Sequence, residues 1–381
     1  MPDDTPSSFL GLLDHSDPLQ HAPPADPLAA LRDLSGVGAP PIDPEKLKRR
    51  LLIPIDDKPD EYILAIDNSS MEKLCQCPRS AEFYLLDRRE KPASSALIFG
   101  GALHEALEAY YTGRGNEGHE EIMKYFQKQP PMWQDWRTAD LCCEVFTRYM
   151  SRYPLENEPF RIPRFDADGN ESPDGKLAVE LPFSVPIGVL DVDQTSGYSA
   201  STLVQDQLGN DEPVYIKRIH FMWRGKMDLL LVDPNDNWWV MDHKTTSIAG
   251  PSFLDAFVLS QQMFGYVQAS RELTKRPIKG LFLNGIVTRK PTKSGKGFDY
   301  IREKLHYDDW HLEEHRRDVT AMVGELLTNI CQGYFPRKTT WCVGKYGKCS
   351  YHDVCAMTTK PSQDVVLNSD LYTPVTWSPL D

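Results

Sequence analysis

No apolar run in this 381-residue sequence approaches the roughly 18 residues that a bilayer-crossing helix needs, which excludes a protein anchored in that way. The opening Met1-Pro2-Asp3-Asp4 has neither a basic segment nor an apolar one, so no signal peptide is expected. Positive charge is in short supply: 42 Lys and Arg face 55 Asp and Glu, for a formal net charge of −13. Such a balance excludes a generic basic coat for nucleic acid, but not an enzyme with a local basic patch. The phosphate-cradling Gly-x-x-x-x-Gly-Lys-Ser/Thr loop is missing, so any unwinding of a duplex must come from a partner. Internal repeats are missing as well. These absences point to an intracellular protein of the cytoplasm or nucleoid, or of the host cytoplasm if it is phage-encoded. Disulfides are disfavoured there, so the eight cysteines call for burial, a metal or catalysis.

What is present divides unevenly along the chain. Residues 1–45 carry eight acidic residues against Arg32 alone, with nine prolines, and read as a disordered acidic tail. Two apolar islands, Phe9–Leu13 and Leu28–Leu31, are isolated hydrophobes or docking points for a helicase or a replication or recombination protein. A folded domain is expected over 46–360, followed by an irregular tail over 361–381. Ser69-Ser70-Met71-Glu72 has capping-box spacing, with Ser69 at the N-cap of a helix that carries Cys75 and Cys77. Further helices are expected over 96–112, 136–153, 253–273 and 308–332, and strands over 177–186, 213–223, 279–288 and 298–305.

The most informative stretch is a hairpin. Met227–Val232 and Trp238–Lys244 are apolar runs joined by Asp233-Pro234-Asn235-Asp236-Asn237. Asp228 lies on the first strand, Asp242 and Lys244 on the second. Side chains two apart on a strand share a face, so Asp242 and Lys244 project together and His243 points away. Taking a charge into an otherwise apolar strand costs several kcal/mol unless something compensates. A plain salt bridge is one compensation; a divalent cation between two aspartates is another. Carboxylate oxygens suit Mg²⁺ or Mn²⁺. Such an ion polarises a phosphate and acidifies bound water, and Lys244 would stabilise the developing negative charge.

Further features stand in order around the hairpin: Ser69-Ser70, Cys77-Pro78, Phe83, Gly101-x-x-His104, Gly225-x-x-Asp228, Asp242-x-Lys244 and Gln262-x-x-x-Tyr266. The set spans roughly 66–356 and resembles the RecB-like branch of the PD-(D/E)XK nuclease superfamily. Each motif is weak alone; their order and separations are the specific signal. The resemblance implies an α/β fold, with a mixed central sheet flanked by helices as in restriction endonucleases. It implies His104, Asp228, Asp242 and the backbone carbonyl of His243 as ligands of Mg²⁺ or Mn²⁺, and Asp228, Asp242 and Lys244 as the catalytic set. Gln262 and Tyr266 would orient the site or touch DNA. Glu108, one helical turn from His104, is an extra ligand or a solvated charge.

Cys342, Cys349 and Cys355 form a late cluster, with Cys77 far upstream. This pattern resembles the iron–sulfur members of the same branch, among them CRISPR-adaptation and AddB-type nucleases. In those, one cysteine before the core and three after it hold a 4Fe–4S cluster. The six-residue step from Cys342 to Cys349 is wider than the tight pair usual in that group, and Cys75 competes with Cys77 as first ligand. Four thiolates also suit Zn²⁺. Cys142, Cys143 and Cys331 read as ordinary thiols on helices.

For DNA contact, the basic loop 288–297 offers Arg289, Lys290, Lys293 and Lys296, which suit a phosphate backbone better than base edges. Arg79, Arg88, Arg89, Arg224 and Lys226 are further candidates, and Trp223, Trp238, Trp239 and Trp341 are candidates for base stacking, Trp239 more as core. The expected activity is metal-dependent hydrolysis of DNA phosphodiesters, by an exonuclease on single-stranded or frayed ends, in repair, recombination, replication or phage genome processing. The alternative is a non-catalytic DNA-end-binding subunit of a larger complex.

Overall fold

In the computed structural model the described residues run from 51 to 374, apart from 91–93, 130–134, 193–200, 206–210, 291, 293–296 and 345–346. The acidic segment 1–45, Lys293 and Lys296 therefore lie outside the described residues, as do 375–381.

Alternating and continuous apolar runs build one seven-stranded sheet from β1 (Leu52–Ile55), β2 (Lys58–Asp67), β3 (Val179–Asp191), β4 (Arg218–Val232), β5 (Trp238–Thr246), β6 (Ile278–Thr288) and β7 (Phe298–His306). The order is β1-β2-β4-β5-β6-β7, with β3 on the other edge of β4. Strand β2 pairs parallel with β4, and β5 parallel with β6; the other ladders are antiparallel. The sheet is thus mixed, as expected. The expected hairpin is β4–β5, turned by Asp233, whose carboxylate accepts the N–H groups of Asn235 and Asn237.

One feature of β4 creates the site. Its first half pairs with β2 as far as Arg224, and its end pairs with β5 from Leu229 onward. Between them, Gly225–Asp228 lie where β2 and β5 part, so the sheet forks at Asp228.

Helices cover both faces. They are α1 (Asn68–Gln76), α2 (Pro78–Leu85), α3 (Ser95–Ala109), α4 (Gly118–Gln127), α5 (Ala139–Arg152), α6 (Pro251–Val258), α7 (Gln261–Thr274) and α8 (Asp309–Gln332). Trp238 and Val240 of β5 join Val267 of α7 and Val323 of α8 in one core. Trp239 and Met241 join Leu103 of α3 and Phe146 of α5 in the other. The strand's period of two therefore turns Asp242 toward the first layer and His243 toward the second.

Local details depart from expectation in three places. Asp67, not Ser69, caps α1, its carboxylate accepting the Ser70 N–H at 2.6 Å, and Cys77 falls just after the helix. The helix expected over 253–273 breaks at Leu259–Ser260 into α6 and α7. The stretch expected to be irregular forms a helix over Lys360–Leu367 and a strand over Tyr372–Pro374 paired with Arg88–Glu90. Its apolar residues, Leu367 and Tyr372, close a small core with Phe83, Tyr351 and Val354.

Candidate active site and cysteine cluster

Asp228 reaches the fork almost fully buried, and its Oδ2 accepts the backbone N–H of His243 at 2.7 Å. Burial, and then the charge of Asp242, push its carboxyl far up, to about 8. Asp242, 1% exposed, faces Lys244, whose Nζ lies 2.8 Å from Oδ2 and 3.1 Å from Oδ1. The ammonium thus pairs with both carboxylate oxygens, although only the Oδ1 contact has hydrogen-bond geometry. Burial works against the Lys244 ammonium, but Asp242 and Asp228 outweigh it and hold the lysine charged.

His104 comes from α3. Its Nε2 donates to the backbone carbonyl of His243 at 2.9 Å, and its Nδ1 stands 3.6 Å from Asp228 Oδ2. Burial and Lys244 depress its basicity, so the ring is neutral and keeps a lone pair. Groups named from the sequence gather at the fork: the His104 ring stands against Asp228 Oδ2 and the His243 carbonyl, while Asp242 is held by Lys244 and its oxygens are not among the ligand atoms that lie within 4.8 Å of those of His104 and Asp228. Carboxylate and carbonyl oxygens with one imidazole are a donor set that fits Mg²⁺ or Mn²⁺.

Glu180 of β3 is a residue the motifs did not reveal. It stands opposite Asp228, between the Val179–Leu229 and Leu181–Met227 pairs. Ligand atoms of His104, Glu180 and Asp228 all lie within 4.8 Å of one another. Its backbone takes φ 49°, the left-handed region that strand residues avoid, and Lys226 Nζ holds its carboxylate at 2.8 Å. Burial and Asp228 raise its carboxyl to about 7. The sequence signal was only a glutamate in an expected strand, with no fixed distance to the hairpin.

Gln262 and Tyr266 lie together on α7, with Gln262 Nε2 donating to the Tyr266 hydroxyl at 2.9 Å. Both line a cavity of about 300 Å³ that also takes in His104, Glu105, Glu180 and Asp228. Burial and Asp242 keep the Tyr266 phenol firmly protonated, so its O–H remains a donor.

The sequence model of the PD-(D/E)XK nuclease superfamily matches residues 68–356, some three quarters of the chain. This protein belongs to the PD-(D/E)XK nuclease superfamily. A solved structure described as a "Putative exonuclease" from Eubacterium rectale is similar at 14% identity, over 78% of this chain and 90% of that one, with a TM-score of 0.43. No curated protein matches. Among the described residues of this nuclease, no helix is long and apolar enough to cross a membrane.

Cys77, Cys349 and Cys355 of this nuclease lie in one neighbourhood past the end of α1, but among the described residues no three cysteine sulfurs lie within 4.8 Å of one another. Cys77 is buried and its Sγ accepts the Lys338 N–H at 3.4 Å, while the Cys349 N–H donates to the Cys342 carbonyl at 2.9 Å. Burial pushes the Cys355 thiol up to about 11 against the pull of Arg337, with Cys77 and Cys349 close enough to add to the rise. Cys75 instead points to Met322 and Gln261. Cys142 is fully buried in the second core.

The basic candidates separate. Arg289 and Lys290 are exposed just past β6, whose Val287 pairs with Thr246, so they leave the sheet at the Lys244 end. Lys226 is committed to Glu180, Arg79 to Glu82 at 2.7 Å and Arg88 to Asn368 at 2.6 Å, while Arg89 lies over the Tyr84 ring. Trp223, Trp238 and Trp239 are buried core residues and cannot stack on bases; Trp341 is half exposed. Polar spacing alone could not distinguish a partnered arginine from a free one.

Proposed function

We propose that this chain is a divalent-metal-dependent deoxyribonuclease of the RecB-like branch, acting as an exonuclease on single-stranded or frayed ends. The observation that carries the hydrolytic reading is the gathering of His104, Glu180 and Asp228 at the sheet fork, their ligand atoms all within 4.8 Å of one another, beside an Asp242 that Lys244 holds at 2.8 Å. His104, Asp228 and the His243 carbonyl would hold Mg²⁺ or Mn²⁺, with Glu180 and Asp242 as further carboxylates. The ion supplies Lewis acidity to the scissile phosphate and lowers the pKa of a coordinated water. Lys244, held charged, offsets the negative charge that grows on the phosphate during attack. Tyr266, whose hydroxyl accepts from Gln262, directs its own proton into the cavity and orients a phosphate oxygen. Arg289 and Lys290 would guide the strand by phosphate contacts, without reading bases. End preference rests on the family resemblance.

For the cysteines we propose a 4Fe–4S cluster on Cys77, Cys342, Cys349 and Cys355, with Zn²⁺ as the rival occupant. Its role would be structural, tying the end of α1 to the C-terminal segment as a metal-dependent staple.

The test is cleavage of end-labelled single- and double-stranded DNA by anaerobically purified protein with Mn²⁺ or Mg²⁺, beside assays of iron, sulfide and zinc. Lys244→Ala and Asp242→Asn should each lower the rate by about 100-fold or more while circular dichroism is unchanged. Full activity in both folded variants would overturn the site. Short products released progressively from ends identify an exonuclease.

A further inference from the structure

His243 offers the site its peptide, not its ring: the N–H holds Asp228 and the carbonyl faces His104. The ring projects into the opposite layer, where it meets a row of polar side chains that the reaction does not touch. Asn284 on β6 is its register partner, and Arg302 on β7 is the partner of Asn284. Arg302 Nε donates to Asn284 Oδ1 at 3.1 Å, and Asn284 Nδ2 lies 2.7 Å from His243 Nδ1. An arginine can only donate, so it fixes which way the amide points. The amide N–H₂ must then face His243, whose Nδ1 can only accept.

Beyond Arg302 the row is anchored. Glu158 takes both guanidinium ends at 2.7 and 2.8 Å, in an ion pair whose side chains are 11% and 4% exposed. The hydroxyls of Tyr111 and Tyr149 accept from Arg302 at 3.0 and 2.8 Å, and the Tyr111 ring stacks on His243 at 5.5 Å. A buried ion pair is poor value for stability when apolar packing could replace it. What it secures is one orientation of Asn284 and hence one position of the His243 ring.

Resting on the metal-site reading above, we propose that Asn284, Arg302 and Glu158 are positioning residues that set the His243 peptide, and through it the metal affinity of the site. Side chains that orient metal ligands typically change affinity by about 10–100-fold when removed. None of the three touches substrate.

The test is Mn²⁺ binding by calorimetry on the full chain, compared with Asn284→Asp and Asn284→Leu. Asn284→Asp keeps an acceptor for Arg302 and the shape of the side chain while removing the Nδ2 donor that faces His243 and the Tyr149 hydroxyl, so it disturbs the packing less than Asn284→Leu. Both variants that fold should bind Mn²⁺ at least about tenfold more weakly, and the Mn²⁺ concentration for half-maximal cleavage should rise in step. Folded Asn284→Asp with Mn²⁺ affinity within twofold of the parent overturns the positioning role alone. A folded parent that binds no Mn²⁺ at all overturns the metal-site reading, and this inference with it.

Discussion

The His243 N–H donates to Asp228 across 2.7 Å at the point where the β4–β5 ladder ends, its last pair being Met241 with Leu229. A carboxylate therefore continues the work of the backbone ladder, and among the described residues its ion-pair contact is the His104 ring at 3.6 Å rather than a lysine or arginine. In the absence of metal that arrangement is costly, because burial and Asp242 both disfavour the ionised form.

The cost has a pH signature. The folded-state pKa of Asp228 is raised, from an ordinary value of about 4 to about 8. Between these values the folded form holds a proton that the unfolded form has released, so metal-free stability falls as pH rises through the window. Glu180, also raised, acts in the same direction. Melting in EDTA should show Tm dropping from pH 5 to pH 8, with a shallower drop in Asp228→Asn. Asparagine can still accept the His243 N–H, so this variant should fold while losing cleavage by about 100-fold or more. Mn²⁺ should raise Tm more at pH 8 than at pH 5. Equal pH slopes for the two proteins would contradict the assignment.

Glu180 combines strain with charge. A left-handed conformation costs a non-glycine residue about 1–2 kcal/mol, whereas glycine in a strand costs about 0.5–1. Loss of the half-exposed Lys226 ion pair is worth little. Glu180→Gly should therefore leave Tm unchanged or slightly raised while weakening Mn²⁺ binding, and Glu180→Gln should weaken binding without the gain. Thermal melts and calorimetry on the pair separate strain from charge. A Gly variant that melts far below the parent would show that φ 49° carries no strain worth relieving.

Much of this site was legible because its parts are local. Asp242, His243 and Lys244 need only the strand's alternation to be placed on their faces, and His104 and Asp228 are marked by glycines. Glu180 was hidden because its position depends on the register between β3 and β4, which no short motif encodes. Asn284 and Arg302 were hidden for the same reason: they meet His243 through three strands that are distant in sequence. The helix break at Leu259–Ser260 escaped because both sides keep helical periodicity and no proline or glycine marks it. The misplaced cap at Asp67 reflects two competing short polar side chains within three residues.

The cysteines divide by neighbourhood into a testable pair of classes. Cys349 and Cys355 lie against the small core of Phe83, Tyr351 and Val354, with Cys77 close to Cys355 and Cys342 joined through the Cys349 N–H. Serine at Cys77 or Cys355 should cut the iron and sulfide (or zinc) bound per chain to near zero and lower Tm. Serine at exposed Cys75 should leave both unchanged. Metal analysis and visible absorbance check this, and normal loading of Cys77→Ser would remove that residue from the ligand set.

Gly225 shows how packing reaches the reacting groups without touching them. A Cβ there would stand 2.5 Å from Cζ and 2.8 Å from Cε1 of Phe183, a ring buried to 1% exposure in the first core. The ring cannot swing to solvent, so Gly225→Ala should push β3 from β4 and cost about 1–3 kcal/mol. Phe183 and Glu180 share β3, and Gly225 and Asp228 share the fork, so the same push separates Glu180 from Asp228. Phe183→Leu alone leaves a partial void; combined with Gly225→Ala it returns the lost space. Denaturant unfolding of the two single variants and the double should give a favourable coupling of at least about 0.5 kcal/mol. Cleavage should recover in the double variant with stability. Additive losses would mean that the glycine is required for some contact other than Phe183.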